Sequence, residues 1–95
     1  MTRSILMHER FYRDPEGKPC RMQYFLLVDE VVFGDNTLDI YGAEILSYRA
    51  EDFVGRKTLR GITPFGPRIT ALINCMADSL TPPERMERMV EDRVK

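Results

Sequence analysis

Three features of the sequence predict an α+β fold: a three- to four-stranded antiparallel sheet, built as a meander, followed by two C-terminal helices packed on one face. Residues 22–48 are dense in Tyr, Phe, Leu, Val and Ile around one Gly-Asp-Asn-Thr break, which is the pattern of a β-hairpin. Ile69, Leu72, Ile73, Met76 and Leu80 recur at spacings of three and four, so one side of that stretch is an apolar helical stripe. Extended material comes first and helical material last, an order that gathers the helices on one side of an antiparallel sheet. The 95 residues fit one domain spanning 1–95, with strands within 4–62 and helices over about 67–80 and 82–94.

Ser4 to Tyr12 reads as the first strand, although Ile5-Leu6-Met7 could also open a short helix. Asp14 to Pro19 is a loop, because it holds two prolines and a glycine among charged neighbours. Met22 to Phe33 is the strongest strand signal, and Leu38 to Tyr48 returns beside it. Ala50 to Gly55 reads as a connection, and Arg56 to Ile62 as a fourth strand weakened by Gly61. Pro67 suits a first helical turn, where a missing N–H costs nothing. Thr81, Pro82 and Glu84 suggest a second helix start: a Thr cap, a Pro at the first position, and a Glu three residues after the Thr. Met86, Met89, Val90 and Val94 form the stripe of that helix.

The register of the central hairpin carries the functional expectation. With Gly34 opposite Thr37, Phe33 faces Leu38, Val31 faces Ile40, Leu27 faces Glu44 and Phe25 faces Leu46. The other face pairs Val28 with Ala43 and Leu26 with Ile45, so both faces are largely apolar. Two short helices can cover only one of them. The other must meet a curled N-terminal strand, a second copy of the chain, or a different protein. Phe25, Leu27, Val31, Phe33, Leu38 and Ile40 are the expected interface.

Composition narrows the classes. A net charge of −1 provides no general attraction for nucleic acid or an anionic membrane, although eleven Arg against three Lys favour bidentate contacts to carboxylate or phosphate. No apolar run is long enough for a signal peptide or a membrane span, so a cytoplasmic location is expected. Cys20 and Cys75 form no metal-binding or disulfide pattern and read as free thiols.

Few residues point to chemistry. His8 is the only histidine, which rules out a His-based metal cluster, and its neighbour Glu9 falls on the opposite strand face. Cys75 lies beside the apolar stripe and reads as a small hydrophobe. Asp29, Glu30, Asp35, Asp39 and Glu44 form an acidic stretch without a base, but Ile40 stands where a calcium loop needs glycine. Arg49, Arg56, Lys57, Arg60 and Arg68 against Glu51 and Asp52 give +3 over residues 49–68. Within that run Arg56, Lys57, Arg60 and Arg68 are the candidate anion-binding set. No phosphate loop, nucleophile elbow or dinucleotide fingerprint is present.

At Tyr41-Gly42-Ala43-Glu44-Ile45, at Ile62-Thr63, and at Leu80-Thr81-Pro82 with Val90-Glu91-Asp92, the chain resembles a small bacterial family classed only as a domain of unknown function. The resemblance runs from about Tyr24 to Val94, with Arg93 standing where members favour an aromatic residue. The family has no assigned activity, so the resemblance implies no catalytic or binding residue and lowers the expectation of a known enzyme class.

The sequence therefore leads to a non-enzymatic protein-interaction or regulatory module that forms a homodimer or binds another protein. No catalytic residue, metal or cofactor is expected, and neither nucleic acid nor a membrane is the expected partner. The alternative is a nucleic-acid or anion-binding module using the basic 49–68 segment, which requires those cations to share one surface. An enzymatic reading would need a pocket joining His8 or Cys75 to the acidic hairpin.

Overall fold

The computed structural model describes residues 2–94. Strands β1 (Thr2–Arg13), β2 (Pro19–Phe33), β3 (Asn36–Arg49) and β4 (Asp52–Thr63) form one antiparallel sheet in the order β1-β2-β3-β4. Helices α1 (Gly66–Asp78) and α2 (Pro83–Val94) follow and pack on one face, so the architecture is the expected α+β meander with two C-terminal helices. Met22, Tyr24, Ala43 and Ile45 bring the sheet's share of the buried cluster. Ile69, Leu72, Ile73 and Met76 of α1 and Met86 of α2 close over them. Among the described residues no helix is long and apolar enough to cross a membrane.

The segment Ser4 to Tyr12 is strand throughout, without the short helix that Ile5-Leu6-Met7 allowed. A bulge between Leu6 and His8 absorbs that apolar run: Leu6 pairs with Phe25 on the open side, while His8 pairs with Tyr24 on the helix side.

The central hairpin is shifted two residues from the expected register. Phe33 lies opposite Asn36 and Val31 opposite Leu38, around a two-residue Gly34-Asp35 turn. Gly34 takes the positive φ of 57° that the first central position of such a turn requires. The expected pairing would have placed Asp35 and Asn36 in the two central positions instead. A shift of two leaves every side chain on its expected face.

The expected connection over 50–55 is another tight turn. Ala50 and Glu51 both sit at positive φ, 49° and 74°, and Arg49 pairs with Asp52, so β4 begins earlier than Arg56.

Helix α1 ends at Asp78, two residues before the expected Leu80. Leu80 is left-handed at φ 51°, its N–H donating to the Ala77 carbonyl at 3.3 Å and that of Thr81 to the Met76 carbonyl at 2.9 Å. This pair of bonds is a Schellman closure with leucine in the place glycine usually takes. Thr81 is thereby committed to ending α1, and α2 starts one residue later than expected, at Pro83. The buried Tyr24 hydroxyl donates to the Thr81 carbonyl at 3.0 Å, tying the helix–helix turn to the sheet. Burial holds that phenol well above its usual pKa.

Candidate functional site

The sheet face turned away from the helices is built from odd residues of β2, even residues of β3, and their partners on β1 and β4. Phe25, Leu27, Val31, Phe33, Leu38 and Ile40 all lie on it. Their accessibility differs along the strand. Phe33 and Leu38 are exposed, Phe25, Val31 and Ile40 are half-buried, and Leu27 is only 3% exposed.

Leu27 is closed off by a device within the chain, which removes it from the expected interface. Its partner on β3 is Gly42, where a Cβ would collide with the Leu59 carbonyl oxygen and lie 2.8 Å from Arg60 Cα. Glycine is needed there because β4 bulges inward, with Gly61 at φ 64° and the register skipping between Ala43 and Tyr41. From this bulge Arg60 reaches across β3 to Asp29 on β2, at 3.6 Å, and to the Thr2 hydroxyl on β1, at 3.3 Å. The open face thus carries a polar strap at its middle.

Beyond the strap the hairpin projects past both helices. Val32 on the helix side is 66% exposed and Phe33 on the open side 59%, so the tip is bare on both faces. Arg3 and Asp39 pair at its base at 3.7 Å. Before the strap, a single row crosses all four strands: Phe11 opposite Arg21, Arg21 opposite Tyr48, and Tyr48 opposite Phe53. The Arg21 guanidinium lies 4.2 Å from the Tyr48 ring centre, and Tyr48 meets Phe53 edge-on at 5.8 Å. A cleft of about 410 Å3 opens beside this row, lined by Phe11, Pro19, Cys20, Arg21, Tyr48 and Glu51.

The four cations expected to share an anion site are dispersed. Arg56 and Arg60 are on the open face, whereas strand alternation turns Lys57 to the helix side, where it pairs with Glu87 of α2 at 3.3 Å. Arg60 is committed to Asp29, and Arg68 lies on the exposed first turn of α1. Arg49 is held by Asp14 at 2.5 Å and Glu16 at 3.0 Å. The Arg49 contact, helped by the Lys18 and Glu16 backbone N–H groups, keeps the Asp14 carboxyl below the usual carboxylate range.

His8 Nε2 lies 2.6 Å from Asn74 Oδ1 on α1, a hydrogen bond that ties edge strand to helix. Glu9 faces the other way, accepting from Gln23 at 2.8 Å. Cys75 is half-buried on α1, and both cysteines are free thiols. Among the described residues no group of three His, Cys, Asp or Glu could hold a metal. The Phe11–Arg21–Tyr48–Phe53 row escaped the sequence reading because its members are separated by loops and turns, and only the three strand registers align them.

No protein-family model matches the chain, and no curated protein or solved structure is significantly similar to it.

Proposed function

We propose that this chain is a non-enzymatic interaction or regulatory module that self-associates through the projecting end of its central hairpin. The observation that carries this reading is the exposure of Val32, Phe33 and Leu38 on both sides of an arm that no helix covers. Apolar side chains left bare together on a rigid strand pair mark an association surface. A second copy of the arm is the natural cover, since a two-fold axis lets one patch bury its own equivalent. Phe25, Val31 and Ile40 continue the surface toward the Arg60 strap. A cytoplasmic location and membership of the bacterial family without assigned activity belong to the same proposal.

The test is a charge placed in the patch. Phe33→Asp with Leu38→Asp should turn a dimer into a folded monomer, seen by size-exclusion chromatography with light scattering and by an unchanged circular dichroism spectrum. A variant that elutes with the same mass as the parent chain would remove the arm from the interface.

A further inference from the structure

The cleft beside the aromatic row has no part in the association surface. Arg21 and Phe33 belong to one continuous strand and stand ~40 Å apart at about 3.3 Å per residue. Three features converge on this cleft. Phe11 is 73% exposed, the barest large hydrophobic side chain among the described residues, and forms one wall. Arg21 lines the cleft with its guanidinium stacked on Tyr48, and its one carboxylate neighbour, Glu9, stays at 3.8 Å, beyond hydrogen-bond reach. Glu51, on the left-handed turn, contributes a carboxylate without an ion pair or side-chain hydrogen bond among the described residues. An apolar wall is thus flanked by a guanidinium that stacks on Tyr48 and pairs loosely with Glu9, and by the Glu51 carboxylate. Neither side chain makes a hydrogen bond among the described residues, so the donors of one and the acceptors of the other are available to a ligand.

The geometry points to a guanine nucleotide, free and not part of a strand, as the ligand of this cleft. A flat ring stacked on Phe11 covers the bare phenyl face. Arg21 can donate to the O6 and N7 acceptors of guanine. Glu51 can accept from its N1–H and exocyclic N2–H, a pair that adenine does not offer. A volume of about 410 Å3 falls in the range of small-molecule sites. Neighbouring cations are already engaged, Arg49 by Asp14 and Glu16 and Arg13 by the Gly17 carbonyl, which leaves little to grip a run of phosphates.

Titration of the isotope-labelled full chain, followed by amide NMR, tests the assignment with guanosine monophosphate, adenosine monophosphate and a short single-stranded oligonucleotide as probes. Guanosine monophosphate should shift the amides of Phe11, Cys20, Arg21 and Glu51 saturably, with adenosine monophosphate about tenfold weaker or worse. Phe11→Ser should weaken binding about tenfold or more, and Glu51→Gln should abolish the preference for guanine. Both side chains are exposed, so both variants keep the parent spectrum elsewhere. Absence of shifts at millimolar nucleotide, or equal binding by Phe11→Ser, overturns the site. Tighter binding of the oligonucleotide than of the mononucleotide overturns the assignment to a free ligand.

Discussion

Gly42 and Arg60 set how much of the open face is available. Because Gly42 has no side chain, the β4 bulge can ride over β3 opposite the buried Leu27, and Arg60 can reach Asp29. Gly42→Ala forces a methyl group against the Leu59 carbonyl, and backbone cannot yield as a side chain tip can. A loss of about 1–3 kcal/mol is expected, measured as a lower urea midpoint. Asp14 sets a second residue-scale expectation. Its folded pKa is lowered by Arg49 first and by backbone N–H groups next. The unfolded chain therefore binds the proton more readily, and the stabilisation is present above the ordinary carboxyl pKa of about 3.9 and is lost as pH falls through the lowered folded value. Asp14→Asn should flatten that acid limb in urea titrations between about pH 2 and 6.

At the scale of elements, the patterns that rest on local chemistry were legible and those that rest on a competition between close alternatives were not. The helical stripes of Ile69, Leu72, Ile73 and Met76 and the apolar alternation of Tyr24 to Ile45 point to their elements, because burial periodicity follows from geometry alone. The hairpin register missed by two because two turns were available, and the one with glycine at the positive-φ position won. The Ala50-Glu51 turn was hidden, since neither residue favours positive φ and only the pairing of Arg49 with Asp52 compels it. That strain predicts its own relief. Ala50→Asn, which leaves the Glu51 carboxylate in place, should raise stability by about 0.5–1 kcal/mol, because Asn tolerates the left-handed region better. A thermal melt with Tm higher by a few degrees would register it. Of the candidate site, the apolar arm was legible, as Phe33 and Leu38 stand in a hairpin whose two faces are both greasy. The cleft row was not, since it joins residues 11, 21, 48 and 53 through three separate registers.

The whole molecule is long for its size, 54 × 26 × 17 Å, because β2 and β3 run 15 and 14 residues while α1 and α2 run 13 and 12. Strand residues rise about 3.3 Å and helical ones 1.5 Å, so each helix spans less than half the length of the hairpin it sits on. The sequence thus commits more apolar strand than its own helices can cover, and the excess is bare at both ends, as Val32, Phe33 and Leu38 at the hairpin tip and as Phe11, Phe53 and Val54 at the other. The proposed self-association through the hairpin tip rests on that imbalance, with the Arg60 strap lying between the tip and the rest of the open face. Sedimentation velocity of the full chain at micromolar concentration measures this most directly. The account predicts a species of twice the 11.1 kDa chain mass. A single-chain mass that holds across the whole dilution series would contradict it.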